Sequence, residues 1–277
     1  MTFKYPTVLS IAGSDSGGGA GIQADIKTIS ALGCFVTCAI TAVTVQNTLG
    51  VVGIHSVPAV VVRDQIKAVM DDIAPDVVKL GMIHSKELAI IIAETLRLYP
   101  TVSVIFDPVM VAASGDVLIE SETIAALKQY LFPLAAVVTP NLNEAAILTD
   151  MAICSEADMK EAAQRILATT CKSVLIKGGH LQGGDSVLDL YIDQSGRELL
   201  LQADYIETPN THGTGCTLSA AIAAYRALDY TLEAAVQQAH MYTHGAIRHG
   251  ADVKTGNGKG PLNHFYNPQK LIKHKLE

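Results

Sequence analysis

The sequence predicts an α/β fold with a mostly parallel central sheet, helices on both faces and a few flanking antiparallel strands. Short apolar runs alternate with helical patterns along the whole chain, which predicts right-handed β-α-β connections. The runs are rich in Val and Ile, as is typical of strands buried on both faces of a parallel sheet. No linker or low-complexity segment interrupts this alternation, so we expect one domain over residues 1–277.

The individual elements follow from these patterns. Strands are predicted at 7–13, 35–43, 77–83, 103–111, 135–141 and 173–179. Helices are predicted at 20–32, 60–72, 86–98, 121–130, 142–149, 156–169, 217–227 and 231–247. Two segments differ from the alternation. Residues 50–58 are predicted to form a short extended segment and not a crossover helix. Residues 188–207 are predicted to form a hairpin that turns at Gln194, Ser195 and Gly196. These segments would supply the antiparallel strands.

The composition excludes several classes of function. Hydrophobic residues make up 49% of the 277 residues and charged residues 17%, which allows a large core, and the absence of Trp means that Ala, Val, Ile and Leu must build it. A formal net charge of −7 argues against a nucleic-acid surface. No run of 18 apolar residues predicts a membrane span, and the apolar N-terminal run indicates a first strand and not a signal peptide. The five cysteines contain no CxxC pair, which favours a reducing cytoplasm.

The most informative motif is NTHGTGCT at 210–217, where a glycine-rich turn opens an Ala-rich helix. We expect the backbone amides of Gly213, Thr214, Gly215 and Cys216 to be unpaired there and to form an anion site with the helix dipole. A thiol at a helix N-terminus is also expected to have a lowered pKa, so Cys216 is an acid/base candidate. The alternative is an ordinary loop before a core helix.

Polar and glycine clusters follow one strand after another. Because ligands bind beyond the carboxyl ends of strands in open parallel sheets, we expect these clusters to share one ligand-binding edge. They are Gly13–Gly21, Gln46–Asn47, Gly81, Asp107, Asn141–Glu144, Lys177–His180 and Gly213–Cys216.

The cluster Gly13–Gly21, GSDSGGGAG, fits neither the dinucleotide fingerprint nor a Walker loop, since its third glycine position falls on Ile22 and no GK[ST] triplet exists in the chain. It predicts a tight turn that brings a ligand or a helix close to the backbone, or a simple strand-to-helix turn. Asp25, at the start of the next helix, either faces a ligand or has a solvated or capping role.

Three other positions, Asn141, Glu144 and Lys177, leave two interpretations each. Asn141 and Glu144, in TPNLNEA, form a capping box or hold hydrated Mg²⁺ beside phosphates. Lys177 meets phosphoryl oxygens or is solvated, and Asp107 is an acid at the same edge. His180 and His212 could be polar loop residues without a role. Together with the glycine turn, these residues predict a phosphoryl-transfer site without a P-loop.

These motifs, in this order, resemble the ribokinase-like superfamily and, within it, the hydroxymethylpyrimidine/phosphomethylpyrimidine kinases. The resemblance covers almost the whole chain, from IAGSDSGGGAGIQADIKT through ITAVTVQNT, KLGMI, DPVM, TPNLNEA and IKGGH to HGTGCTLSAAIAA and GKGPLNHF. It implies a three-layer ribokinase-like fold, a homodimer and a role in thiamine biosynthesis. It also implies two successive transfers from ATP, with Mg²⁺, to 4-amino-5-hydroxymethyl-2-methylpyrimidine and then to its monophosphate.

The resemblance also implies roles for individual residues. Gln46 would read the pyrimidine edge, because its amide carries both a donor and an acceptor. The other implied roles are a substrate pocket of Gly13, Asp25, Met82 and Val109, nucleotide contacts from Asn141, Lys177 and Thr214, metal ligands Glu144 and Asp107, and a catalytic set of Gly213, Thr214, Gly215, Cys216 and Lys177. Cys216 stands where most of the superfamily has an aspartate base, so the base assignment is open.

Two competing functions are compatible with these motifs. A pyridoxal kinase on the same scaffold would be expected to lack the glutamine at position 46. A non-catalytic pyrimidine-binding protein would not require the anion turn, Glu144 and Lys177 together.

Overall fold

A computed structural model describes residues 1–110, 119–179 and 185–276. Its main feature is a nine-stranded sheet in the order β10-β9-β8-β7-β6-β5-β2-β3-β4. A two-stranded ribbon of β1 (Phe3–Lys4) and β11 (His274–Lys275) lies apart from it. The sheet strands are β2 (Thr7–Ser14), β3 (Phe35–Asn47), β4 (Gly50–Ser56), β5 (Val77–Leu80), β6 (Ser103–Phe106), β7 (Ala135–Val138), β8 (Ser173–Lys177), β9 (Ser186–Asp193) and β10 (Glu198–Asp204).

The six central strands, β3, β2, β5, β6, β7 and β8, pair in parallel. Antiparallel strands flank them on both sides, with β4 against β3 and the β9–β10 hairpin against β8. The predicted flanking strands are thereby confirmed. The carboxyl ends of the parallel strands share one edge, which places the loops that follow them side by side.

Helices cover both faces of the sheet. The helices are α1 (Gly21–Ala31), α2 (Ala59–Asp72), α3 (Lys86–Leu96), α4 (Ser121–Ala126), α5 (Leu142–Thr149), α6 (Glu156–Leu167), α7 (Thr214–Ala227) and α8 (Leu232–Arg248). One apolar core lies between the sheet and α2 to α6, and the other lies between the sheet and α1, α7 and α8. This is the three-layer arrangement that was expected. No helix of the described ranges is long and apolar enough to cross a membrane.

The predicted and observed boundaries differ mainly at the carboxyl edge. Strands β5 to β8 end two to five residues before their predicted ends, because Gly81, Pro108, Pro140 and Gly178 turn the chain there. The last predicted residue of β6, position 111, lies outside the described residues. Helix α7 begins at Thr214, three residues earlier than predicted. The helix predicted at 121–130 divides into α4 and a π-helical turn, Leu127–Leu131.

Candidate active site

A cavity of about 480 Å³ lies at the carboxyl edge of the sheet. Each of the seven predicted clusters contributes to its lining, so the clusters share one edge, as expected. His180, at the end of one cluster, lies outside the described residues. The β3–β4 hairpin forms one wall of the cavity, with Val51 and Ile54 of β4 facing inward beside Gln46.

Four of the five residues expected in the substrate pocket line this cavity: Gly13, Gln46, Met82 and Val109. Gly13 packs against Met82, since a Cβ atom there would lie 2.8 Å from Met82 Cε and would displace the end of that side chain. Gln46 lies on β3, which runs beyond its predicted end to Asn47 and so carries the amide over the cavity.

Asp25 is the exception, because it does not line the cavity. It is fully buried between α1 and the sheet, where its Oδ2 atom lies 2.9 Å from Lys79 Nζ and accepts a 2.6 Å hydrogen bond from Ser10. It is neither solvated nor a cap, since the N-cap of α1 is Ala20. Burial raises the pKa of the Asp25 carboxyl, although the charge of Lys79 works in the opposite direction. The sequence offered one signal for its missed partner: Lys79 is the only charged residue in the apolar strand VVKL.

The predicted anion turn is present at the start of α7. Gly213 is the N-cap with φ +85°, a conformation that favours glycine, and a Cβ atom there would overlap the Gly19 carbonyl oxygen. Within the described ranges, the amides of Gly213, Gly215 and Cys216 donate to no acceptor. The Thr214 amide instead lies 3.3 Å from the Thr211 carbonyl oxygen, so the expectation of four unpaired amides is wrong at that residue.

The expected thiolate character of Cys216 is also wrong. Burial raises the pKa of its thiol to about 11, and it outweighs the charge of Lys79 and a hydrogen bond from the Gly21 amide, which lower the pKa. The carboxylates of Asp107 and Asp25 add to the upward shift. The thiol is therefore protonated near neutral pH, because the desolvation penalty on a thiolate exceeds the effect of the helix terminus.

Lys177 is not the isolated, solvated lysine of the alternative interpretation. Its ammonium group lies 2.8 Å from Asp107 Oδ1 and 3.9 Å from Glu144 Oε2, and its side chain is 14% exposed. Asp107 also accepts hydrogen bonds from Thr139, at 3.2 Å, and from Ser219, at 3.4 Å. Burial would raise the pKa of Asp107, but Lys177, Lys79 and the Thr139 hydroxyl hold it below its usual value. Lys177 thus presents a fixed positive charge at the cavity.

Asn141 and Glu144 form the predicted capping box at the start of α5. The Glu144 amide donates to Asn141 Oδ1 at 2.9 Å, and the Asn141 amide donates to Glu144 Oε2 at 2.8 Å. Both residues also line the cavity, so capping does not remove them from the site. Burial raises the pKa of Glu144 against the influence of Lys177 and the backbone amides.

Sequence reasoning missed the role of Asp15. Its carboxylate accepts hydrogen bonds from the amides of Gly17, Gly19 and Ala20, at 2.7 to 3.0 Å, and so shapes the loop Gly13–Gly21. Its Oδ2 atom also lies 2.9 Å from His212 Nε2, so His212 is not a loop residue without partners. An Asp two residues before GGG is a signal for such a turn.

Comparison with known proteins identifies related chains. A family model for phosphomethylpyrimidine kinase matches residues 15–263. The hydroxymethylpyrimidine/phosphomethylpyrimidine kinase of Rhizobium meliloti (strain 1021) is 50% identical over 260 residues, which cover 93% of this chain and 96% of that protein. The thiamine biosynthesis bifunctional protein ThiED of Geobacter sulfurreducens is 48% identical over 263 residues, 95% of this chain and 53% of that protein, so this chain spans about half of it.

A solved structure adds a comparison of fold. The pyridoxal kinase from Staphylococcus aureus in complex with pyridoxal superposes with a TM-score of 0.87 and is 34% identical, covering 98% of this chain and 97% of that one. The architecture described above is therefore the ribokinase-like fold of such kinases. Because the family model spans most of the chain and the Rhizobium relative is similar over nearly its full length, this chain belongs to the phosphomethylpyrimidine kinase family and is a phosphotransferase.

Proposed function

We propose that this kinase transfers the γ-phosphoryl group of ATP to the hydroxymethyl oxygen of 4-amino-5-hydroxymethyl-2-methylpyrimidine, and then a second one to the monophosphate, in thiamine biosynthesis. One observation carries the proposal: an amide that can read a ring, an anion turn and a fixed cation line a single cavity, as Gln46, Gly213–Cys216 and Lys177. Phosphoryl transfer requires positioning and charge stabilisation more than covalent chemistry, and these groups supply both.

The nucleotide would bind between the anion turn and α5. The free amides of Gly213, Gly215 and Cys216 point to where charge develops on the transferred group, and Thr214 and Asn141 line the same part of the cavity. Lys177 would neutralise phosphoryl oxygens, while Asp107 holds its ammonium group in place at 2.8 Å. Gly215 keeps this approach open, since a Cβ atom there would lie 2.9 Å from Lys177 Nζ.

Cys216 has a narrower proposed role than its motif suggests. In the first transfer the acceptor hydroxyl loses a proton, and of the two forms of Cys216 only the thiolate can accept it. With a pKa of about 11, only about one thiol in 10⁴ is ionised at pH 7, so its contribution as a base is small. In the second transfer the acceptor phosphate is already largely ionised near pH 7 and needs no base.

The residues fit a hydrated Mg²⁺ ion better than a direct protein cage. Within the described ranges no group of three His, Cys, Asp or Glu side chains could hold a metal. Both Glu144 oxygens already accept backbone amides, and Asp107 binds Lys177. Mg²⁺ usually keeps several waters and binds through phosphates and one or two carboxylates. We propose that Glu144, with Asp107 behind it, faces such an ion, which would neutralise phosphate charge when bound.

Two properties of the whole protein are also part of the proposal. The outer face of the β3–β4 hairpin exposes Val43 at 46% and Val45 at 62%, and we propose that this apolar face is covered in a homodimer. The five cysteines, all in the described ranges, form no disulfide, which supports a reducing, cytoplasmic location.

The experiment that tests the proposal replaces the ring-reading residue. Gln46→Leu would leave ring donors and acceptors unpaired, at about 1–3 kcal/mol each, so kcat/KM for the pyrimidine should fall about tenfold or more. Gln202→Leu, on the exposed strand β10, is the matched control. ATP-dependent phosphorylation of the pyrimidine and of its monophosphate is measured separately. Unchanged kinetics in Gln46→Leu would remove this residue from the site, and no turnover by the wild type would reject the proposed function.

Pyridoxal phosphorylation is the second candidate function. It is favoured by the structural similarity to a kinase that binds pyridoxal. Gln46 argues for the pyrimidine, so we expect pyridoxal to be the poorer substrate in the same assay.

A further inference from the structure

Three side chains from separate segments, two loops and strand β3, meet at one wall of the cavity. His212 Nε2 lies 2.9 Å from Asp15 Oδ2 and 3.3 Å from Gln46 Nε2. The imidazole ring is seated against Gly19, where any Cβ atom would overlap His212 Cδ2. His212 therefore links the loop that follows β2 to the residue proposed to read the substrate ring.

The contacts of Asp15 determine where His212 carries a proton. The Asp15 carboxylate accepts three backbone amides and has a lowered pKa, because the hydrogen bonds from His212 and from these amides outweigh its burial. An ionised carboxylate can only accept hydrogen bonds, so His212 must donate from Nε2. A nitrogen that donates to Asp15 cannot also accept a hydrogen bond from the NH₂ group of Gln46.

Thr44 constrains the other side of the Gln46 amide. Its hydroxyl lies 2.9 Å from the Ser14 carbonyl oxygen, which can only accept, and 3.1 Å from Gln46 Oε1. While the hydroxyl gives its one proton to Ser14 it can accept from the Gln46 NH₂ group, and when it turns away from Ser14 it can donate to the Gln46 oxygen instead. When the amide turns by half a rotation, its NH₂ group faces Thr44 and its oxygen faces His212. The single Nε2 proton of His212 is then shared between Asp15 Oδ2 at 2.9 Å and the Gln46 oxygen at 3.3 Å, whereas the unturned amide would place two donors against each other.

This orientation determines what the amide offers to a ligand. One N–H and one oxygen lone pair of the Gln46 amide remain unpaired and face the cavity. Their order, donor beside acceptor, is fixed by the orientation of the amide. A 4-aminopyrimidine presents a donor, its amino group, next to an acceptor, its ring nitrogen. The 4-oxo analogue presents the two in the reverse order, with an oxygen acceptor next to a ring N–H donor.

We propose that His212, held by Asp15, is a positioning residue that fixes the orientation of the Gln46 amide and thereby selects a 4-amino ring over a 4-oxo ring. The inference rests on the proposed function, since Gln46 must read the ring. Without the His212 donor, the Thr44 hydroxyl can either accept from the Gln46 NH₂ group or donate to the Gln46 oxygen, so the amide can take both orientations and bind either order of donor and acceptor.

The test measures equilibrium binding of 4-amino-5-hydroxymethyl-2-methylpyrimidine and of its 4-oxo analogue by calorimetry, without ATP. In His212→Leu we expect the ratio of the two dissociation constants to fall about tenfold or more, because the loss of one buried hydrogen-bond requirement relaxes discrimination. His212→Gln places a donor near the position of Nε2 and should retain the ratio. His244→Leu, which removes a ring bonded to the Asp204 carbonyl far from the cavity, is the matched control.

Thr44→Val keeps the inference testable if His212→Leu does not fold, which its melting temperature reports. This variant removes the hydroxyl that accepts from Gln46 and should also lower the ratio. A ratio that stays at the wild-type value in the folded His212→Leu and Thr44→Val proteins overturns the inference but leaves the proposed function intact. Equal losses in His212→Leu and His212→Gln overturn it as well. If the wild type binds neither ring, both the proposed function and the inference fail.

Discussion

Two lysine–aspartate pairs lie beneath the cavity, and they differ in one property. Lys79 and Asp25 are 2.9 Å apart and both side chains are 0% exposed, whereas Lys177 and Asp107 are 2.8 Å apart and 14% and 2% exposed. We call them the closed pair and the open pair. The two pairs have the same chemical groups and similar distances, and they differ in how far their side chains are exposed to the cavity.

Lys79 of the closed pair borders the cavity, and Gly81 packs directly over the pair. A Cβ atom there would lie 3.0 Å from Lys79 Nζ and 2.9 Å from the Ala12 Cβ atom, so only glycine lets the chain cross so close to the ammonium group. The open pair has the glycine turn above it and the carboxylate of Glu144 beside it. The closed pair thus forms a charged floor, and we propose that the open pair offers its lysine to a ligand.

The largest effect on stability is expected from breaking the closed pair. Lys79→Met leaves the Asp25 carboxylate buried without its partner, which should cost about 3–5 kcal/mol of unfolding free energy in urea denaturation. The double variant Lys79→Met/Asp25→Asn should recover most of this loss. Lys4→Met, which breaks the exposed pair with Asp76, is the control and should cost no more than about 1 kcal/mol. Equal losses in Lys79→Met and the double variant would show that the pairing is not what stabilises the floor.

A smaller effect, on the Mg²⁺ dependence of the rate, should distinguish the proposed metal role of Glu144 from its capping role. Glu144→Gln can still accept the Asn141 amide but loses the charge, so we expect stability to change little and the Mg²⁺ concentration for half-maximal rate to rise several-fold. Glu87→Gln, in the first turn of α3, is a matched control outside the cavity. A loss of stability with unchanged Mg²⁺ dependence would mean that Glu144 acts only as a cap.

Cys216 reports on both pairs, because Lys79 lowers the pKa of its thiol while Asp25 and Asp107 raise it. With a pKa of about 11, the rate of its alkylation by iodoacetamide should rise about tenfold per pH unit from pH 7 to pH 10, without a plateau. Mass spectrometry of the peptide that contains Cys216 separates it from the exposed Cys154. A plateau below pH 8 would show that the thiol ionises near neutral pH, as the motif alone predicted, and would contradict the raised pKa.

Much of this site could be predicted from sequence, because the carboxyl ends of parallel strands must share an edge and each cluster follows a strand. The spacing of Asn141 and Glu144 likewise specified a capping box. The closed pair could not be predicted, since Lys79 and Asp25 are 54 residues apart and only packing brings them together. Cys216 illustrates the same limit. The sequence shows that this residue lies at a helix N-terminus, which lowers the pKa of a thiol. It does not show the burial, which raises that pKa by more.

The most direct test of the difference between the pairs is the single-turnover rate of phosphoryl transfer with pyrimidine and ATP both saturating. Lys177→Met removes the charge of the open pair, and we predict a rate about 10²–10³ lower than wild type, as for the loss of one group that stabilises transition-state charge. Lys172→Met, exposed just before β8, is the control. The folded double variant Lys79→Met/Asp25→Asn should stay within about tenfold of wild type. A wild-type rate in Lys177→Met, or an equal loss in the double variant, would contradict the assignment of the chemistry to the open pair.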